Sequence, residues 1–131
     1  MESDLSSILV FAAAGMISAT APQPLQADIA WVSRGEYCEP ETVLALPDDT
    51  LLVSNVCGFS EPGSGFLTLL GADGEVIDWR VVDGLNSPLG MALRNGRLHV
   101  IDSNYLKIMT WPGYELLESI KPEQNKIIRG W

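Results

Sequence analysis

A stretch of about 47 residues occurs twice in this chain, and this repeat constrains the fold more than any other feature of the sequence. Residues 46–55 read Leu-Pro-Asp-Asp-Thr-Leu-Leu-Val-Ser-Asn, and residues 93–102 read Leu-Arg-Asn-Gly-Arg-Leu-His-Val-Ile-Asp. Corresponding residues of the two stretches lie 47 positions apart. Further on, the apolar run at 66–70 matches a second one at 106–111. A repeat of this length buries its apolar faces only by stacking on a neighbour, so we expect two stacked units.

Each unit contains short apolar runs that are separated by turn signals. We predict strands at 41–46, 51–56, 66–70 and 75–82 in the first unit and at 89–93, 98–102, 106–111 and 114–120 in the second. Repeats of roughly 40 to 50 residues with four strands each are typical of β-propeller blades. The sequence therefore predicts an all-β fold of two four-stranded antiparallel blades, an incomplete six-bladed propeller. Blade one spans about 39–83 and blade two about 84–120.

The composition excludes two classes of partner. The formal net charge is −9, and the chain has no cluster of Lys and Arg. Because an acidic surface repels a phosphate backbone, we exclude nucleic-acid binding. No apolar stretch reaches the roughly 18 residues of a membrane-spanning helix, so no membrane span is expected.

The first 27 residues are predicted to be a signal peptide. Residues 8–21 carry no charge, which suits the apolar part of such a peptide, and cleavage is expected after Ala27. Export would leave residues 28–131 in the periplasm or outside the cell. However, no Lys or Arg precedes Arg34, whereas signal peptides normally begin with positive charge. A buried or frayed helix and a misassigned start codon are the alternatives.

Two cysteines lie at the open end of the first predicted hairpin. If Leu46 faces Leu51 across the turn, Cys38 and Cys57 fall at nearly opposite positions. A disulfide requires Cα atoms within about 7 Å, and this register nearly supplies that distance. We therefore predict a disulfide in an oxidising compartment. Two buried free thiols, which behave as small apolar side chains, are the alternative.

The starts of the two units resemble a known family. Pro40-Glu41 with residues 51–55, and residues 84–92, which read Gly-Leu-Asn-Ser-Pro-Leu-Gly-Met-Ala, look like motifs of the gluconolactonase/senescence-marker-protein family. They also resemble the wider group of six-bladed propellers that includes NHL-repeat proteins. The resemblance covers about residues 39–120. It implies a divalent cation, commonly Ca²⁺, in a central channel and, for enzymatic members, hydrolysis of sugar lactones or organophosphate esters.

Carried over residue by residue, the resemblance assigns one metal ligand to this chain. Glu41 takes the place of the family's metal-binding Glu, and a carboxylate oxygen there suits Ca²⁺ or another divalent cation. Leu89 stands where the second blade of family members often has Asn, and its side chain cannot coordinate. The family's catalytic Asp belongs to a later blade without a counterpart here, so the catalytic residues stay unknown.

Other polar residues are interpreted as structural. His99, the single histidine, has only Asp102 as a nearby carboxylate for general-base chemistry. Asn55 and Asp102 occupy equivalent ends of strands, and we predict that they fasten the blade connections by hydrogen bonds. Carboxylates in the predicted turns and serines without a nucleophile-elbow context complete this group: Asp48, Asp49, Asp73, Ser54, Ser87 and Ser103. Trp79 and Trp111 are predicted to pack between the blades.

Three functions follow from these observations. The chain is a propeller-type binding or scaffold module without its own catalysis, a divalent-metal-dependent lactone or ester hydrolase formed by several chains, or a truncated piece of a longer propeller. We expect two uncovered end faces, built from residues that include Leu51, Val53, Leu98 and Val100. Head-to-tail contact between them would close a six-bladed ring as a homotrimer with three Glu41 carboxylates in one channel. The alternative is that the N-terminal apolar segment and residues 127–131 cover these faces.

Overall fold

The computed structural model describes residues 21–59 and 61–123. These residues form two four-stranded antiparallel sheets and contain no helix, so the all-β, two-blade prediction is confirmed. The first sheet consists of β1 (Pro40–Ala45), β2 (Leu51–Asn55), β3 (Gly65–Leu70) and β4 (Val76–Leu85). The second sheet consists of β5 (Pro88–Arg94), β6 (Arg97–Asp102), β7 (Tyr105–Thr110) and β8 (Leu116–Ile120).

Within each sheet the strands follow one another in chain order, as in a series of hairpins. β4 runs on to Leu85, beyond the end of the predicted strand at Val82, because Leu85 pairs with Gly65 and is buried. Most of the predicted signal peptide and the tail at 127–131 lie outside the described residues. Residues 21–27 of the predicted signal peptide have no regular secondary structure and are exposed.

The two sheets contact each other through faces that are not equivalent in the two repeats. Leu52 of the first sheet and Leu98 and Val100 of the second belong to one buried apolar core. Leu52 and His99 are equivalent, since they lie 47 positions apart, yet Leu52 faces the other sheet and His99 faces away. The first sheet thus uses one face of the repeat and the second sheet uses the other, which is the head-to-tail stacking of successive repeats. The other buried members of this core are Leu46, Leu67, Leu85 and Met109.

This stacking corrects two predictions. Leu98 and Val100 are fully buried between the sheets and do not form an uncovered end face. Because side chains alternate along a strand, the residues of β6 that face outward are Arg97, His99 and Ile101. Trp111 packs against the core between the sheets, as predicted. Trp79 does not, because its ring packs edge-on against Tyr37 with the ring centroids 5.0 Å apart.

Residues 31–38 cover part of the outer face of the first sheet, which is the face turned away from the second sheet. Trp31 lies against Gly74, where a Cβ atom would stand 2.5 Å from the indole. Gly35 lies equally close to Trp79, and Tyr37 contacts the same indole. Four side chains of this face are buried, Val53, Phe66, Thr68 and Leu70, whereas Val43, opposite Val53 on β1, is 62% exposed. Burial of Val53 corrects its prediction as part of an uncovered end face.

A β-bulge brings the two cysteines together. Opposed residues of β1 and β2, such as Val43 and Val53, have numbers that add to 96, whereas Pro40 and Asn55 add to 95. The bulge between Pro40 and Thr42 causes this shift. Beyond it Cys38 and Cys57 lie opposite each other and form a disulfide with Cα atoms 4.8 Å apart. The register that opposes Leu46 to Leu51 is therefore wrong by one residue within the hairpin.

Candidate functional site

Asn55 and Asp102 fasten the chain to the starts of β1 and β5, the strands through which the two sheets contact each other. Both side chains are fully buried. The Cys38 N–H donates to Asn55 Oδ1 over 3.1 Å. The N–H groups of Asn86 and Ser87 donate to Asp102 Oδ1 over 2.8 and 2.7 Å. Asp102 thus fastens the connection between the two blades, as predicted, whereas Asn55 fastens the segment that precedes β1.

The second of these side chains is charged and has a cationic partner. Lys107 Nζ lies 2.6 Å from Asp102 Oδ2, and the lysine side chain is only 17% exposed. The pair is therefore a close contact of opposite charges within the sheet. Asn55 needs no such partner, and its amide group donates to Thr68 Oγ1 over 3.1 Å. The equivalent main-chain segment is therefore held by a neutral side chain in the first repeat and by a charged side chain in the second.

Glu41 lies exposed at the bulge of β1. Leu89 occupies the equivalent position of β5, because Pro40 pairs with Asn55 as Pro88 pairs with Asp102. The two inner strands meet here, since the Thr42 hydroxyl donates to the Leu89 carbonyl. Within residues 21–59 and 61–123, no group of three or more His, Cys, Asp or Glu side chains is placed to hold a metal ion. Metal binding by Glu41 stays a prediction.

His99 is separated from the carboxylate that the sequence offers as its partner. His99 and Asp102 lie three positions apart on β6 and so point to opposite sides of the sheet. The Nδ1 atom of His99 instead lies 3.1 Å from the Arg97 carbonyl oxygen. The geometry therefore does not form a histidine–carboxylate pair here.

The turn carboxylates and the buried serine of β2 have local partners. Asp48 accepts hydrogen bonds from the N–H and the hydroxyl of Thr50, and the hydroxyl bond lowers the pKa of Asp48. Asp73 accepts the N–H of Glu75 over 3.0 Å. Ser54 Oγ accepts the N–H of Thr42 at the bulge. These side chains act in turns and in the strand ladder, as the sequence predicts.

The described part of the chain leaves the outer face of the second sheet largely exposed, although Ile108 at its centre is buried. This face presents outward-facing residues of all four strands: Ala92 and Arg94 of β5, Arg97, His99 and Ile101 of β6, Leu106, Ile108 and Thr110 of β7, and Glu118 and Ile120 of β8. Ile101 and Ile120 are each 44% exposed. A groove of about 360 Å³ runs beside Ile101 and Leu106 to Lys121, and a second of about 490 Å³ lies among Arg94, Arg97 and His99. We take this face as the candidate functional site.

The chemistry of this face differs from the equivalent face of the first sheet. His99 replaces Leu52, which is fully buried, and Arg97 replaces Thr50 at the turn. At the opposite end, Ile101 replaces the buried Ser54. The face is therefore cationic near the β5–β6 turn and apolar at its far end. Sequence reasoning missed it, although the alternation of Arg97, His99 and Ile101 with buried residues is a readable signal.

The comparisons add no further constraint to this geometry. Comparison with protein-family models, curated proteins and solved structures finds no match for this chain. In the described residues no helix is long and apolar enough to cross a membrane. The resemblance to gluconolactonase-like propellers therefore depends on the motifs within residues 39–120.

Proposed function

We propose that this chain is a binding or scaffold module of the propeller type, related to gluconolactonase-like proteins, that works without catalysis of its own. The outer face of the second sheet carries this proposal. The equivalent face of the first sheet is buried by stacking, whereas Ile101 and Ile120 remain substantially exposed. Stacked repeats need either a neighbour or a polar cap on such a face. An exposed sheet face with apolar side chains is suited to docking another protein.

Export to the periplasm or the cell exterior is part of this proposal. The Cys38–Cys57 disulfide supports it, because structural disulfides form and persist in oxidising compartments. The predicted signal peptide at 1–27 is consistent with the same destination.

A head-to-tail homotrimer is the larger assembly that the repeat suggests. It would complete six blades and bring three Glu41 carboxylates to one channel, where a metal-dependent hydrolase could form. In that ring the outer face of the second sheet meets the outer face of the first sheet of the next copy. Trp31 and Tyr37 lie on the latter face, so ring closure requires them to leave Gly74 and Trp79. A truncated piece of a longer propeller remains the other alternative.

Enzyme assays test the proposed lack of catalysis. We expect the purified chain, with Ca²⁺, Mn²⁺ or Zn²⁺ added, to hydrolyse sugar lactones and phosphotriesters no faster than a protein-free control. The reason is that Leu89 stands where a second oxygen ligand would support Glu41. Turnover that disappears in Glu41→Gln, but persists in the matched variant Glu75→Gln, would contradict the proposal and favour a metal-dependent hydrolase.

A further inference from the structure

We propose that the outer face of the second sheet binds a second copy of this chain around a two-fold axis parallel to its strands. The inference rests on the proposed function, in which this face is the binding surface, and it names the partner. A two-fold interface brings the same surface of both copies together, so the surface must complement itself. The outer face of the second sheet meets this requirement in its charges and in its apolar residues.

The charges of the face lie at opposite edges of the sheet. Arg94 lies on β5, an edge strand, and Arg97 lies opposite it on the neighbouring strand β6. Glu118 lies on β8, the other edge strand, and is opposite Ile108, so that it shares the outer face. A two-fold axis parallel to the strands places β5 and β6 of one copy over β8 and β7 of the other. Glu118 of one copy then lies over β5 of the other, two residues along the strand from Arg94, so that the Arg94 side chain approaches the Glu118 carboxylate; symmetry forms this contact twice.

The apolar residues lie along one row at the far end of the face. Ile101 is directly opposite Leu106, and Leu106 is directly opposite Ile120. A two-fold axis parallel to the strands keeps this row at the same position along the strand direction in both copies. Ile101 of one copy therefore lies over Leu106 of the other, and the exposed fraction of Ile101 and Ile120 is removed from water. Burial of this row drives association, and the edge charges set the orientation.

A second copy fits this face better as a two-fold partner than as the next member of a ring. Residues 31–38 of the same copy cover part of the surface that a ring would use, the outer face of the first sheet. The net charge of −9 makes copies repel one another in general, so that association needs local complementarity. Arg94 and Arg97 supply it, because they place positive charge on an otherwise acidic molecule.

Light scattering over a range of protein concentrations tests the inference. We expect a mass of two copies for the unmodified chain and of one copy for Ile101→Asp, which puts a charge in the apolar row. Ile77→Asp is the matched control, because Ile77 is 58% exposed on the first sheet, and it should keep the mass of two copies. Circular dichroism checks that both variants remain folded. A monomeric unmodified chain, a mass of three copies, or loss of the dimer in Ile77→Asp would each overturn the inference.

A charge exchange tests the orientation separately. We expect Arg94→Glu and Glu118→Arg each to raise the dissociation constant of the dimer about tenfold or more, because each places like charges together. The double variant should recover most of the lost affinity, since it restores opposite charges. Failure of this recovery would overturn the two-fold arrangement. The lactone and phosphotriester assays judge the proposed function independently, because a monomer without turnover contradicts only the dimer.

Discussion

Asn55 and Asp102 accept the same main-chain hydrogen bond in the two repeats, although one side chain is neutral and the other is an anion. The donors are the N–H groups of Cys38 and Asn86, each two residues before the proline that begins the inner strand. A second main-chain hydrogen bond also occurs in both repeats. The Val56 N–H donates to the Glu39 carbonyl, and the Ser103 N–H donates to the Ser87 carbonyl. The repeat therefore extends from the sequence to individual hydrogen bonds.

We expect truncation of Asp102 to cost more stability than truncation of Asn55. Asp102→Ala leaves two main-chain N–H groups and the largely buried Lys107 without their partner, which should lower the free energy of unfolding by about 3–5 kcal/mol. Asn55→Ala leaves neutral groups unsatisfied and should cost about 1–3 kcal/mol. Urea unfolding followed by fluorescence measures both.

The charge on Lys107 accounts for part of this difference. In the background of Asp102→Asn, replacing Lys107 by Met should cost less than it does in the unmodified chain, because the buried carboxylate is then absent. Equal costs of Lys107→Met in the two backgrounds would show that the 2.6 Å contact carries no coupling.

Much of the fold could be predicted from the sequence because the repeat and the turns are local signals. The alternation of Leu98, His99 and Val100 indicates a strand with two different faces, but alternation does not say which face meets the other sheet. That choice depends on the head-to-tail stacking, which assigns opposite faces of the same repeat to the core. The segment around Trp31 and Tyr37 gave no signal, because it has neither periodicity nor a hydrogen-bonded ladder.

The disulfide should make a measurable contribution to stability. It joins residues separated by 19 positions, and on the chain-entropy model the closure of such a loop contributes about 3 kcal/mol. We expect the double variant Cys38→Ala/Cys57→Ala to lose about this amount. A reducing agent should destabilise the unmodified chain and leave the double variant unchanged. Non-reducing mass analysis of secreted protein should show two fewer hydrogens than the reduced form, and two alkylated thiols would contradict the prediction.

Gly65 should tolerate no side chain. A Cβ atom there would stand 2.5 Å from Pro88 Cδ and 3.1 Å from the Leu85 carbonyl oxygen, where the two sheets are joined. We expect Gly65→Ala to lower the free energy of unfolding by about 1–3 kcal/mol, the usual cost of overpacking. Gly90→Ala is the matched control, because its nearest neighbour is Ile101 Cγ1 at 3.8 Å. Similar thermal midpoints for the two variants would count against this account.

The candidate site was less predictable than the fold. Only the family resemblance points to Glu41, and the structure places Leu89 at the equivalent position of the next sheet. The outer face of the second sheet is defined by residues on four strands, which only the pairing register brings together. Of its charged residues, Arg97 and Glu118 lie far apart in the sequence, so no local motif marks them as parts of one surface.

Tyr114 should make the stability of the chain fall at alkaline pH. Burial raises the pKa of its phenol above the ordinary value of 10.0; the Trp111 side chain acts in the opposite direction, and the Asp48 carboxylate adds to the increase. The folded state therefore holds the phenolic proton more tightly than the unfolded state does. The associated stability is fully present below the unfolded pKa and is lost as the pH rises through the folded pKa.

We expect the free energy of unfolding, measured with urea at pH values from about 8 to about 11, to decrease less in Tyr114→Phe than in the unmodified chain. Asp48→Asn should reduce the decrease slightly, because it removes only the smallest of the three contributions. An identical pH dependence in Tyr114→Phe and the unmodified chain would show that another group controls the alkaline loss of stability.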